Sequence, residues 1–253
     1  MNLLECGKIT RIFQPGGFAA LKDVSIRLEA GEAVGIVGES GSGKSTLANI
    51  IGGLDEPTSG SVSYRGRLLS SLSREERKAF RRDVQYIFQD PRASMNPFFS
   101  LYRVLEEPLI INRRDLGRQE RRSLIERTVT KLGLEKDILT RTAKEVSGGQ
   151  AQRIAIARCL LLQPGIIIAD ECVSSLDLSV QAQIINTLRA IRHELGTSFI
   201  FISHDIELVR YFCDRIYVML HGRIVETLDS DKLFTQAQSD YTRLLIGDSY
   251  DRT

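Results

Sequence analysis

The sequence predicts an α/β fold built on a mainly parallel sheet, and three stretches carry that expectation. The first is Ala33-Val34-Gly35-Ile36-Val37, an apolar run that leads straight into Gly38-Glu39-Ser40-Gly41-Ser42-Gly43-Lys44-Ser45-Thr46 and then into a helical pattern ending near Ile51. The others are Gly165-Ile166-Ile167-Ile168-Ala169, which ends in Asp170-Glu171, and Ser198-Phe199-Ile200-Phe201-Ile202-Ser203, which ends in His204-Asp205. Uninterrupted apolar runs of this length suit strands covered on both faces, as parallel sheets require.

The residues after Val37 have the spacing G-x-x-x-x-G-K-[ST] in a strand, loop and helix context, which defines a phosphate-binding loop. Gly38, Gly41 and Gly43 permit backbone angles that a Cβ would oppose, so successive N–H groups can turn inward and form a nest for an anion. The helix that opens after Gly43 adds its positive end. Lys44 supplies a full charge for the β- and γ-phosphates, and the Ser45 hydroxyl is placed to ligate Mg²⁺. A chance match in 253 residues has odds of roughly one in a hundred at average glycine usage. The stretch therefore implies binding of a nucleoside triphosphate.

In chain order, the first forty residues read as antiparallel strands, with Leu21–Leu28 alternating inside and out and Glu29-Ala30-Gly31-Glu32 turning the chain toward the loop strand. Phe13 or Phe18, near the end of that region, offers a ring for stacking on a purine, although a core position is the commoner fate of a phenylalanine. Leu54-Asp55-Glu56-Pro57-Thr58-Ser59-Gly60 ends the helix with turn residues, and Ser61–Tyr64 begins another short strand. Residues 74–82 and 113–122 are arginine-rich, but interleaved acids make them solvated helices laced with i,i+4 pairs rather than a nucleic-acid groove. Between them, Tyr86-Ile87-Phe88-Gln89-Asp90-Pro91 is an apolar strand with Gln89 at its mouth. That glutamine is placed either to reach a metal or an attacking water, or to serve as an ordinary loop residue.

Val146-Ser147-Gly148-Gly149-Gln150 precedes a helical pattern from Ala151 to Arg158. A serine N-cap followed by two glycines leaves free N–H groups at a positive helix end, a second anion site in the same chain. Asp170 is suited to hold Mg²⁺ through water, and Glu171 to polarise a water for in-line attack. His204 is expected at the same sheet edge.

Composition narrows the class. With 42% hydrophobic and 26% charged residues, residues 1–253 are expected to form one lobed domain. A formal net charge of +2 argues against a dedicated nucleic-acid binder. No apolar run approaches the roughly 18 residues needed to cross a bilayer, so work at a membrane requires a partner. The N-terminus reads as neither a secretory signal nor a lipoprotein box. Cys6, Cys159, Cys172 and Cys213 form no C-x-x-C pair, which fits reduced thiols in the cytosol rather than zinc or disulfides.

The ordered set GESGSGKST, IFQD, VSGGQ, IIIADE, SSLD and ISHD resembles the nucleotide-binding domain of ABC transporters over essentially the whole chain. The resemblance implies a P-loop NTPase core with a mainly parallel sheet, an N-terminal antiparallel β subdomain, and a helical subdomain inserted at about 91–159. It also implies two domains packed head to tail, each ATP lying between the Lys44 loop of one and the Ser147-Gly148-Gly149-Gln150 helix of the other. By this resemblance residues Gly38 to Thr46 bind phosphate, with Ser45 on Mg²⁺, and Gln89 senses the metal and the attacking water. Asp170 assists Mg²⁺, Glu171 is the general base, Asp177 belongs to the loop that crosses to the partner, and His204 fixes the γ-phosphate. Phe13 matches the adenine-stacking aromatic, usually a tyrosine.

Val146 stands where leucine is commoner, and Cys172 stands where proline usually follows the Asp-Glu pair. The second departure leads us to expect ATPase activity sensitive to small thiol reagents. Arg81–Pro91, Ser94–Pro97, Leu176–Gln183 and Tyr241–Leu245 resemble importers of dipeptides, oligopeptides and nickel. In these, a binding protein outside the cytoplasm delivers cargo to two permease subunits driven by two related ATPases at the cytoplasmic face of the membrane. The ending at Thr253, the non-proline residue after Glu171 and Phe212-Cys213-Asp214-Arg215 resemble the nickel importers more than the peptide ones, which implies nickel or a metal–metallophore complex as cargo. Residues 90–109 are expected to meet the permeases. The alternatives are the same role in a peptide importer, and a soluble ABC-type ATPase of DNA repair or chromosome organisation. The latter often carries a long coiled coil where only about a hundred residues without sustained heptads intervene here.

Overall fold

The computed structural model describes residues 2–174 and 176–250. A six-stranded sheet is the framework, with spatial order β10-β9-β3-β8-β7-β6. Its strands are β3 (Ala33–Val37), β6 (Val84–Ile87), β7 (Ile166–Asp170), β8 (Ser198–Ser203), β9 (Arg215–Leu220) and β10 (Arg223–Asp229). All neighbours are parallel except β10 on β9. Every residue of β3, β7 and β8 is buried, which is why these strands lack the alternation of a half-exposed sheet.

Alternate residues along each strand face different layers. Val34, Ile36, Ile166, Ile168, Ile200 and Ile202 join one apolar cluster. It is completed by helix α1 (Lys44–Ile51) and a second, antiparallel sheet of β1 (Asn2–Phe13), β2 (Phe18–Glu29), β4 (Ser59–Tyr64) and β5 (Arg67–Leu68). Ala33, Val37, Ile167, Ala169, Phe199 and Phe201 face the other way. There they meet α3 (Leu101–Asn112), α4 (Arg118–Lys131), α5 (Gly148–Leu160), α6 (Leu178–Leu195) and α7 (Ile206–Phe212). Phe199 and Phe201 both lie against Phe212, at ring distances of 5.1 and 5.0 Å. Each such fully buried ring contributes up to about 3 kcal/mol. A Cβ on Gly35 would lie 2.0 Å from Val209, so β3 needs glycine there for α7 to approach.

Local signals set the helix ends. Helix α2 (Arg74–Asp83) starts with a capping box in which Ser73 and Glu76 satisfy each other's backbone N–H groups. Asp177 caps α6 by accepting from Val180 N at 2.9 Å, and Gly196 in the left-handed region closes it.

Two expectations need correction. Ser59 and Gly60 open β4 rather than close a turn, because β1 pairs with β4 and Gly60, at φ +92°, lies where a Cβ would be 2.4 Å from Lys8 O. The run 74–82 is a helix, but its acids do not make i,i+4 pairs among the described residues. Glu76 pairs with Arg67 on β5, its other oxygen being taken by the Ser73 N–H, and Asp83, the residue after the run, pairs with Arg65. In the second run only the residues from Arg118 on are helical, Arg113 pairing with Asp115 in the turn before; Arg122 does pair with Glu126 one turn on, while Arg121 reaches Glu106 on α3.

Candidate functional site

Parallel register brings the ends of three strands level. Val37 lies opposite Ser203, and Asp170 opposite Ile202, so Gly38, Glu171 and His204 leave the sheet at one edge. In open α/β sheets that carboxyl edge is where ligands bind.

The loop after β3 runs through Gly38, Gly41 and Gly43 at φ values of +154°, +82° and +105°. It is clamped from both sides, since a Cβ on Gly38 would lie 2.1 Å from Met219 O and one on Gly43 2.6 Å from Ala20 O. Lys44 is buried and folds across the loop, donating to Gly38 O at 2.7 Å and Glu39 O at 2.8 Å. Burial pulls its pKa down, while the carboxylates of Glu171, Asp170 and Glu39 oppose that shift. The Ser42 hydroxyl is buried without a hydrogen-bond partner among the described residues. A loop with an idle buried donor, an inward lysine and the first turn of a helix fits a polyphosphate.

Beside it, Ser45 Oγ donates to Asp170 Oδ1 at 3.2 Å, and the Tyr86 hydroxyl donates to Asp170 Oδ2 at 2.9 Å. Burial pushes the Asp170 carboxyl up from its usual range, against the pull of these two donors. Glu171 follows at φ +45°, a conformation that costs a non-glycine residue on the order of 1–3 kcal/mol. Its N–H donates to Ile202 O at 2.9 Å, which helps hold that geometry. Its carboxylate accepts from Gln89 Nε2 at 3.3 Å and lies 3.6 Å from His204 Nδ1. The Ser45 hydroxyl and the Asp170 carboxylate beside it are hard oxygen donors that fit Mg²⁺, which takes few protein ligands when phosphates supply the rest.

Ser147 caps α5 through a box with Gln150, accepting from Gln150 N at 3.2 Å and donating its own N–H to Gln150 Oε1 at 2.9 Å. Ser147 and Gly148 are exposed. A Cβ on Gly149 would lie 3.2 Å from Val180, so the start of α6, with Asp177 at its cap, adjoins the start of α5. Among the described residues no hydrogen bond or ion pair links Ser147–Gln150 to the Gly38–Thr46 loop.

Phe13 pairs with Phe18 across the end of the β1–β2 hairpin, and both are exposed, at 40% and 66%. Arg11 lies over the Phe13 ring at 4.8 Å. Ala20 of the same hairpin lies close to the loop, where a Cβ on Gly43 would meet its carbonyl at 2.6 Å.

Two tyrosines escaped the sequence reading. Besides Tyr86, the Tyr241 hydroxyl accepts from Glu39 N at 2.9 Å, tying the last helix, Asp240–Tyr250, to the loop. The available signal was chemical, since a phenol within or against a core needs a polar partner.

Cys172 is buried, and burial pushes its thiol up to about 12. The expected sensitivity of this cysteine to thiol reagents is therefore corrected, because a protonated, enclosed thiol is inert. Native protein treated with a small maleimide at neutral pH should keep its full rate of phosphate release, with Cys172 unmodified by mass spectrometry. Rapid labelling of Cys172 in the folded chain would overturn this.

The fold and this edge define a P-loop nucleoside triphosphatase. Residues 21–174 match the family model described as ABC transporter. Over 233 residues the chain is 42% identical to the oligopeptide transport ATP-binding protein OppF of Haemophilus influenzae, covering 92% of this chain and 70% of that one. It is 43% identical over 227 residues to the di/tripeptide transport ATP-binding protein DppF of Pseudomonas aeruginosa, covering 90% and 70%. The fold superposes on the dimeric, post-hydrolysis structure of the ATP-binding cassette MJ0796 bound to ADP and Pi with a TM-score of 0.83, at 33% identity, covering 90% and 98%. The chain belongs to the ABC transporter family. It is an ATPase of the cassette class, in which ATP hydrolysis is coupled to transport.

Proposed function

We propose that this chain is the ATP-hydrolysing subunit of an importer of short peptides. The observation that carries this reading is its identity, above 40% over at least 90% of its length, to relatives named for oligopeptide and di/tripeptide transport. The same relatives favour the peptide alternative over the nickel cargo expected from Cys172, Phe212-Cys213-Asp214-Arg215 and the chain's end. Burial is reason enough for a small side chain at Cys172.

In this reading residues 1–253 act as one nucleotide-binding domain, with the helices of about 91–159 as its insertion. The chain pairs head to tail with a second, related ATPase beneath two permease subunits fed by an extracytoplasmic binding protein, peripheral to the cytoplasmic face of the membrane. Residues 90–109 meet the permeases. Among the described residues no helix is long and apolar enough to cross a membrane.

Residues Gly38 to Thr46 cradle the phosphates, and Phe13 flanks the adenine. Ser45, Asp170 and Gln89 would hold Mg²⁺, which would neutralise charge on the phosphates. Glu171 holds a water with Gln89 and takes its proton as the water oxygen bonds to the γ-phosphorus and the bond to ADP breaks. His204 steadies the γ-phosphate from the neighbouring strand end. Ser147, Gly148, Gly149 and Gln150, followed by Asp177, serve the nucleotide held by the partner. Closure on ATP turns the permeases, and product release resets them.

The test is reconstitution of the full complex in proteoliposomes. Peptide-loaded binding protein should raise ATP turnover about fivefold or more, and nickel should not. Stimulation by nickel without stimulation by peptides would overturn the peptide assignment.

A further inference from the structure

We propose that Tyr86 is a positioning residue for Asp170, holding one carboxylate oxygen so that the other is presented beside Ser45 to a divalent cation. This rests on the reading of Ser45 and Asp170 as cation ligands given above.

The two oxygens of Asp170 are divided between two donors. Oδ2 takes the Tyr86 hydroxyl at 2.9 Å, and Oδ1 faces Ser45 Oγ at 3.2 Å. Register explains the reach. Tyr86 on β6 lies opposite Ile168 on β7, two residues before Asp170, a distance along the strand of roughly 6–7 Å, about the length of a tyrosine side chain.

The ring is not free to swing away. It stacks on Phe88 at 4.3 Å with an interplanar angle of 24°. It also abuts the far end of α1, since a Cβ on Gly52 would lie 3.4 Å from Tyr86 Cδ2. The helix that carries Lys44 and Ser45 at one end thus braces Tyr86 at the other. The Tyr86 carbonyl in turn accepts from the Cys159 thiol at 3.5 Å.

The chemistry of the pair is also directed. A phenol is protonated at neutral pH and an ionised carboxylate only accepts, so Tyr86 is the donor in this pair. A neutral donor orients the carboxylate without cancelling the charge that a cation needs, whereas an arginine in that place would compete with the metal. Phenylalanine would fill the same space, so packing accounts for the ring but not for the hydroxyl.

The test compares Tyr86→Phe and Asp170→Asn with the native full-length chain. Affinity for trinitrophenyl-ATP is measured in EDTA, and binding of Mn²⁺ to the ATP-loaded protein is followed by electron paramagnetic resonance. Tyr86→Phe should bind the analogue in EDTA as the native chain does and bind Mn²⁺ about tenfold more weakly. Asp170→Asn should lose more. Native Mn²⁺ binding by Tyr86→Phe, with a loss in Asp170→Asn, would overturn the role of Tyr86 alone. Native Mn²⁺ binding by both variants would overturn the assignment of Asp170 and the inference with it. Loss of affinity in EDTA by Tyr86→Phe would show that the hydroxyl shapes the nucleotide cradle rather than the cation site.

Discussion

Glu171→Gln should slow phosphate release at least about a hundredfold, the loss expected when a general base is removed, while ATP affinity stays within about twofold. The substitution is nearly isosteric, and its amide oxygen can still accept from Gln89 Nε2, which lies 3.3 Å from the Glu171 carboxylate. It also leaves the backbone at φ +45° as it was, so no new strain enters. What disappears is a group able to take the proton of an attacking water. ATP should then trap the closed pair of domains, visible as a stable dimer by size exclusion, because the step that reopens them no longer follows. Native turnover in this variant would remove Glu171 from the role proposed for it.

Gly148→Asp should have an effect of similar size for a different reason. The new Cβ meets nothing within 4 Å, and an acid in the first turn of α5 favours the helix by about 0.3–1 kcal/mol. The isolated chain should therefore fold and bind ATP normally. The exposed end of α5, however, is the surface proposed to face a companion's γ-phosphate, and a carboxylate there repels that phosphate. Turnover should fall by about a hundredfold or more, and the dimer trapped by Glu171→Gln should vanish when both substitutions are combined. A Gly148→Asp chain that dimerises on ATP and hydrolyses it at the native rate would show that α5 does not serve a second nucleotide.

The pattern of what could be read in advance follows the range of the interactions. The Gly38–Thr46 loop was legible because its function is local: three left-handed glycines, a lysine and a helix start all lie within nine residues. The strands β3, β7 and β8 were legible because burial on both faces leaves an unmistakable apolar run. The ion pairs of α2 were misread, since Glu76 and Asp83 find their partners on and beside β5, and no helical periodicity points there. Cys172 was misread in the same way, because its reactivity depends on enclosure by side chains distant in sequence.

By itself, then, the amino-acid order determined the fold class, the anion nest and the separate serine-capped helix, all products of backbone geometry over a few neighbouring residues. Tertiary structure alone decided the contacts made there, Ser45 and Tyr86 on Asp170 and Gln89 and His204 against Glu171. The physical reason is strand register: hydrogen bonding levels the ends of β3, β8 and β7 and sets β6 beside them, bringing side chains up to about 160 residues apart to one carboxyl edge of the sheet.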